Sequence, residues 1–339
     1  MAKAATVASA HISAPAPITG RGSSKAAGSS GGVCSGSATC GDIVFTVTDQ
    51  CCAYVGGVQA ANDVIDITDP GDSRVDDFRD LNSVDRRPDL PSGKGLVIAE
   101  GVLVVARMLV SRFSAHALLG TDRRRTELAD DLAGVSVPFY RASAAVMAEV
   151  VGFHLNRGVL AVARRPPELS LAEVLAGART VAVLEGVNDH ENLGSIFRNA
   201  AGLGVDAVVF GAGCADPLYR RAVRVSMGHA LLVPFARVGR WPADLEILRG
   251  NGFHLLAMTP GPQAALLAAV MDGLSAQKVA VLVGAEGPGL TEAAMRAADT
   301  RVRIPMARGT DSLNVATAAG LAFYERVRCG AAGADRSDR

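Results

Sequence analysis

Apolar positions fall into short runs from Lys94 onward, and their spacing alternates between a strand period and a helix period. The run GLVIAEG (95–101) is apolar through Ala99 and ends in Gly101, which predicts a strand. In VLVVARMLVS the apolar residues at 102, 105, 108 and 109 follow the helix period. AHALLG (115–120) predicts a second strand, followed by an Arg-rich helix from Thr121 to Leu132. VPFYRAS (137–143), a helical AAVMAEVVG (144–152) and a closing strand in RGVLAVARR (157–165) complete a small α/β domain over 94–165. Pro166 and Pro167 interrupt the pattern and predict a hinge over 166–176, in which Ser170 caps a short helix through Leu175.

A second α/β domain is predicted over 177–328. Its strands are TVAVLEG (180–186), DAVVFG (206–211), FHLLAMT (253–259), KVAVLVG (278–284) and VRIPM (302–306), with helices between them and after the last. Runs such as Val279–Val283 are apolar on both faces, as expected of parallel strands covered on both sides. Residues 329–339 read as a tail. Ahead of Lys94, the Ala-, Gly-, Ser- and Thr-rich residues 1–62 read as a disordered or poorly specified extension, with only IVFTVTD (43–49) resembling a strand. Residues 63–93 read as a solvated acidic lead-in with room for a short helix at Asp69–Phe78, closed by a turn at Pro91–Gly93.

Composition adds bounds. The 339 residues accommodate two domains, and 49% hydrophobic with 20% charged residues excludes global disorder. Lys+Arg and Asp+Glu are both 34, so net charge selects no polyanionic partner. Locally, 63–93 carries nine acids against four bases, while 94–170 carries ten bases against seven acids. No apolar run is long enough to span a bilayer and no targeting segment is evident, so a cytoplasmic location is expected. The six cysteines form no CxxC pair and read as free thiols, with no metal expected.

Familiar site types fail. FGAGCAD (210–216) begins GxG after a strand, but Asp216 occupies the third glycine position of a dinucleotide fingerprint. No GxxxxGK[ST] occurs, TDSLN (310–314) lacks its SxxK and KTG partners, and the histidines show no HExxH spacing. Three segments remain: EGVNDHENLGSIFRNAAGLG (185–204), LVGAEGPGL (282–290) and RIPMARGTDSLNVATAAG (303–320). Each lies at the carboxyl end of a predicted parallel strand, where open α/β sheets bind ligands.

With RVSMGHALLVP (224–234), these segments resemble, in order and spacing, the motifs of the SpoU-type (TrmH-like) branch of the SPOUT RNA methyltransferases, from about Thr180 to Glu325. Residues 94–164, closing in FHLNRGVLAVA, are similar to the ribosomal-protein-like (L30e-like) substrate domain that often precedes that fold. The resemblance implies a trefoil-knot α/β domain, a homodimer joined through it, and methylation of a ribose 2′-hydroxyl in structured RNA with S-adenosylmethionine. It implies catalytic roles for Asn192, Arg198, Glu286, Ser312 and Asn314. It further implies cofactor contacts from Gly284, Glu286, Gly287, Ile304, Met306 and Leu313.

Arg198, too basic for a free general base, is expected to fix a phosphate and stabilise developing negative charge. Asn192 and Ser312 would position it or the ribose, and Asn314 would hold the loop. A helix over 216–226 presents Arg220, Arg221 and Arg224 on a basic face, which with Arg123, Arg124 and Arg125 could follow RNA phosphates. The additional domain favours 23S rRNA. The alternatives are tRNA, or a non-catalytic RNA-binding or ribosome-assembly protein that keeps the knot fold.

Overall fold

The computed structural model describes residues 63–81 and 94–337. The extension 1–62, including the strand expected at 43–49 and four of the cysteines, and the turn expected at Pro91–Gly93 lie outside the described residues. Within them, Cys214 and Cys329 are free thiols.

The first half contains β1 (Val64–Ile67), β2 (Leu96–Glu100), α1 (Val102–Leu109), β3 (Ala115–Gly120), α2 (Asp122–Glu127), α3 (Ala129–Leu132), β4 (Phe139–Ala142), α4 (Ala144–Val151) and β5 (Val159–Arg164). They build a five-stranded sheet in the order β1-β4-β3-β5-β2. β1 and β3 run parallel to β4, whereas β5 is antiparallel to both β3 and β2.

The acidic lead-in departs from its expectation as a solvated segment. Val64–Ile67 pairs with β4 at the sheet edge, and Asp72 caps a 3-10 turn over Ser73–Phe78 by accepting from the Arg74 N–H. That turn buries Val75 and Phe78, and Leu81 follows them into a cluster with Ile98, Leu119, Met147 and Val151. The carboxylates dominate the composition, but the apolar residues between them are spaced to reach one face of the sheet.

The second half contains α5 (Leu171–Leu175), β6 (Thr180–Leu184), α6 (His190–Gly202), β7 (Ala207–Phe210), α7 (Arg220–Val225), β8 (Phe235–Arg237), α8 (Leu245–Gly250), β9 (Phe253–Met258), β10 (Ala265–Leu266), α9 (Leu267–Gly273), β11 (Lys278–Val283), α10 (Glu292–Ala297), β12 (Thr300–Arg303) and α11 (Val315–Ser337). Its seven strands run in the order β10-β12-β9-β11-β6-β7-β8, and every pairing is parallel. Both faces are covered. Phe197, Met271 and Phe323 pack on one side, and Leu175, Leu248 and Ala294 on the other. Ser170 caps α5 in a reciprocal capping box with Glu173, so α5 joins this core rather than a flexible hinge. The expected tail at 329–339 is helical through Ser337.

The two sheets are not independent bodies. Leu218, Val223 and Leu231 of the second half are buried in one cluster with Val97, Val104 and Met108 of the first. Across the same junction Arg165 pairs with Asp216 at 2.6 Å, and Arg220 with Glu100 at 2.7 Å. The expectation of two separately cored domains about Pro166–Pro167 gives way to one continuous packing, because α7 is apolar toward β2 as well as toward its own sheet.

Candidate active site

Three loops meet at the carboxyl ends of the second sheet's strands, next to the point where the strand order reverses. From β6 the chain proceeds outward through β7 and β8, whereas β11, on the other side of β6, continues toward β9 and β12. Open parallel sheets form a crevice at the carboxyl ends of strands at such a switch point. On the β11 side of that switch point, the loops after β9, β11 and β12 enclose a cleft of about 540 Å³. Gly284, Glu286, Gly287, Ile304, Met306, Ser312, Leu313 and Asn314 all line it, joined by Met258, Thr259 and Pro260 from the end of β9. β12 stops at Arg303, shorter than expected, since Pro305 offers no N–H to a ladder. Ile304 and Met306 therefore leave the sheet and reach the cleft.

The floor of the cleft is a glycine-rich turn folded on itself. The Gly289 N–H donates to the Ala285 carbonyl at 3.0 Å. A Cβ at Gly284 would stand 2.2 Å from both the Gly289 carbonyl carbon and the Leu290 nitrogen, so this position excludes every side chain. Gly287 has φ +85° with open space around it, leaving its backbone accessible to a ligand.

Behind the turn, the buried carboxylate of Glu185 accepts from the Thr291 N–H at 2.8 Å, from the Thr291 hydroxyl at 2.9 Å and from Trp241 Nε1. A buried carboxylate is tolerated only with such a donor set. Sequence reading passed over Glu185 as a lock on this turn because Trp241 and Thr291 are distant in the chain. The Met258–Pro260 contribution was also missed, although β9 ends at the same edge as the other strands.

The three sequence segments meet at Asn314. Its Nδ2 donates to Asn192 Oδ1 at 2.7 Å and to Glu286 Oε1 at 3.0 Å. Its Oδ1 accepts from the backbone N–H groups of Ala316 at 2.9 Å and Thr317 at 3.2 Å, capping α11. Asn192 is held in the first turn of α6, which starts at His190. There Asp189 accepts from the N–H groups of Glu191 and Asn192, and chiefly the Asn192 N–H keeps its carboxyl below the usual carboxylate range.

Arg198 is not brought to this cluster. It is an exposed residue further along α6 and does not line the cleft. The arginines expected to follow phosphates are largely engaged with carboxylates. Arg220 bonds Glu100, Arg224 lies 4.0 Å from the same carboxylate, and Arg221 pairs with Glu191 at 2.5 Å. Arg123 and Arg124 both pair with Glu127, and Arg125 is half-buried. The expected basic face of the 216–226 helix is thus partly a junction between the sheets, and the helix itself spans only Arg220–Val225.

The cleft has the size of a nucleoside-bearing small-molecule site. Its backbone-rich turn suits a ligand with polar edges, and Met258, Ile304, Met306 and Leu313 supply apolar contact.

Comparisons with known proteins identify a family. Residues 179–324 match the SpoU rRNA Methylase family. The chain is 74% identical over 268 residues to an uncharacterized tRNA/rRNA methyltransferase of Mycobacterium bovis, covering 79% of this chain and 93% of the relative. It is 30% identical over 178 residues to the 23S rRNA (guanosine-2′-O-)-methyltransferase RlmB of Vibrio parahaemolyticus, covering 51% of this chain and 70% of that protein. Its fold is similar to the AdoMet-bound rRNA methyltransferase of Sinorhizobium meliloti, with a TM-score of 0.64 at 22% identity over 78% of this chain and 98% of that one.

Proposed function

The chain belongs to the SpoU family of RNA methyltransferases, and from that premise we propose that it methylates a ribose 2′-hydroxyl of structured RNA, with S-adenosylmethionine as donor and 23S rRNA as the favoured substrate. The observation that carries this reading is the convergence of Asn192, Glu286 and Asn314 at the rim of a cleft lined by a backbone-accessible glycine turn. The residues present fit the donor. Gly287 leaves its backbone open, and the cleft offers both polar edges and methionine and leucine side chains.

S-adenosylmethionine supplies an activated methyl group, so the protein's work is alignment and charge control. The glycine turn, Ile304, Met306 and Leu313 would hold the donor. Asn314 fixes Glu286 and Asn192 relative to each other, and Ser312 stands on the same loop to orient the ribose. Arg198 would bind a neighbouring phosphate and stabilise the charge that develops as the hydroxyl loses its proton.

The 23S preference rests on the additional α/β sheet and on the similarity to RlmB. A trefoil knot and a homodimer belong to the same reading. Leu321, Tyr324 and Val327, each 39–54% exposed, form an apolar side of α11 suited to a second copy. A dimer formed there also accounts for Arg198 standing off the cleft of its own chain, because the arginine then serves RNA held by the pair.

The test is a map of 2′-O-methyl positions in total RNA with and without the gene. Loss of one 23S site in the deletion strain is expected. Loss at a tRNA position instead would transfer the assignment to tRNA, and an unchanged map would refute the enzymatic reading.

A further inference from the structure

Most arginines near the expected RNA surface have carboxylate partners, but those at one point on the junction of the two sheets do not. Arg107 on α1 lies across the turn that carries Met227, Gly228 and His229. Its Nη1 donates to the Met227 carbonyl, and its Cβ and Cδ come within 3.3 Å of where a Gly228 side chain would begin. His229 starts the 3-10 turn His229–Leu231, which packs against α6, the helix of Arg198. Among the described residues, neither Arg107 nor Arg198 has a carboxylate within salt-bridge distance, in contrast to Arg123, Arg124, Arg220 and Arg221.

The turn at Met227–His229 packs against both α1 and α6, the helices that carry Arg107 and Arg198. Burial, followed by the charge of Arg198, lowers the Arg107 pKa. Burial, followed by Arg107 and then Arg198, lowers that of His229. Two uncompensated like charges beside a histidine are unfavourable by themselves. They become favourable when an anion is shared between them, and arginine forks suit phosphate oxygens.

We propose that Arg107, Arg198 and His229 form a binding site for an RNA backbone phosphate, in which the first half of the chain supplies a substrate contact alongside Arg198. This rests on the RNA methyltransferase reading and deepens it. Arg107 becomes a substrate-binding residue, and the paired arginines of α2 and α7 become chiefly structural. Three elements contribute: α1, α6 and the turn after α7. The site therefore exists only when the two sheets are packed as observed, and RNA bound there would register both at once.

The test uses the full-length protein, with Arg107→Gln and Arg107→Lys beside wild type. Glutamine keeps a donor for the Met227 carbonyl and removes the charge, whereas lysine keeps both. The probe is 23S rRNA purified from a strain lacking the gene, assayed for methyl transfer and by filter binding across a salt series. For Arg107→Gln, kcat/KM is expected to fall about tenfold, carried by KM, and the log–log salt slope to drop by about one. Arg107→Lys should recover most of both, and S-adenosylmethionine affinity by calorimetry should stay within twofold for each variant.

Unchanged KM and salt slope in Arg107→Gln would overturn the site. So would equal losses in both variants with a lowered melting temperature, since that marks a packing role. Inorganic phosphate that binds wild type at this point while RNA affinity ignores Arg107 would overturn the RNA assignment in favour of a free anion. Wild-type protein that binds RNA without methylating it would sink the enzymatic reading alone, because the salt-slope comparison still decides the role of Arg107.

Discussion

The side-chain amide of Asn314 donates to the Asn192 side-chain oxygen at 2.7 Å across 122 positions of sequence. The same residue caps α11 and bonds Glu286. One asparagine therefore caps the last helix and ties the first turn of α6 to the carboxylate of the glycine turn. Its two ends do different work: the oxygen stabilises a helix and the nitrogen assembles the site.

Separating those ends is the first prediction. Asn314→Asp keeps an acceptor for the helix N–H groups but replaces the donor with a charge facing Glu286. Asn314→Ala loses the cap, at about 1 kcal/mol. Calorimetry should show weaker S-adenosylmethionine binding for Asp than for Ala, while thermal melting should show Asp the better capped of the two. Equal binding in the two variants would mean that the Glu286 contact is incidental.

Arg198→Ala is expected to abolish methyl transfer yet leave S-adenosylmethionine affinity within a few-fold of wild type, because Arg198 does not line the cleft. Single-turnover assays with saturating RNA, paired with calorimetry, make the comparison. Near-normal turnover would remove Arg198 from the chemistry. Loss of donor binding would give it a structural role.

The two glycines of the turn should respond differently. Gly284→Ala meets backbone atoms at 2.2 Å and has nowhere to shift, so both folding of the loop and donor binding should fail. Gly287→Ala enters open space but retains φ +85°, a strain of roughly 1–2 kcal/mol. A larger fall in melting temperature for Gly284→Ala is expected. The reverse order would show that the turn is not closed in solution as described.

Truncation tests the packing of residues 63–81 on the first sheet. A chain starting at Asp63 is expected to keep its melting temperature, donor binding and activity. One starting at Lys94 loses β1 together with Val75, Phe78 and Leu81, and deleting a single buried phenylalanine side chain already costs about 3–5 kcal/mol. It should be poorly soluble or melt much lower. A fragment starting at Ser170 should fare no better, since it uncovers Leu218, Val223 and Leu231. A monomer-soluble Ser170 fragment with a wild-type transition would restore the independent-domain view.

His229 gives a pH signature. Its pKa is lowered in the folded protein, chiefly by burial and then by Arg107 and Arg198, relative to about 6.5 when unfolded. The unfolded chain therefore takes up the proton first as pH falls. The stability contributed by neutral His229 is full above about 6.5 and declines as pH drops toward the lower folded value. Urea unfolding at pH 7.5 and 5.5 should show a smaller acid loss for His229→Gln than for wild type. Identical losses would show that the imidazole is not desolvated there.

Local order was legible wherever it depended on neighbours in the chain. The alternation of apolar runs with helix-period segments is enough to place most strands and helices, because period-2 and period-3.6 burial are properties of a few consecutive residues. The motif segments were legible for a related reason: glycines and polar residues at strand ends have little packing role there, so their pattern stands out. Glu286, Ser312 and Asn314 reach one cleft because parallel strands end at one edge of a sheet.

Which side chains meet across long separations is fixed by folding alone. Composition made 63–81 look solvated, yet Phe78 is buried because β4, sixty residues later, offers its edge to β1. Charge count made α7 look like a basic face, yet Glu100 from the other sheet takes Arg220. Arg107 carries no signal in the sequence, since the role proposed for it rests on its place against the Met227 turn and on which described carboxylates reach it. A sequence records each residue's own chemistry, whereas ion pairing, burial and shared cores are relations in space. Those relations were set when the two sheets packed through α7.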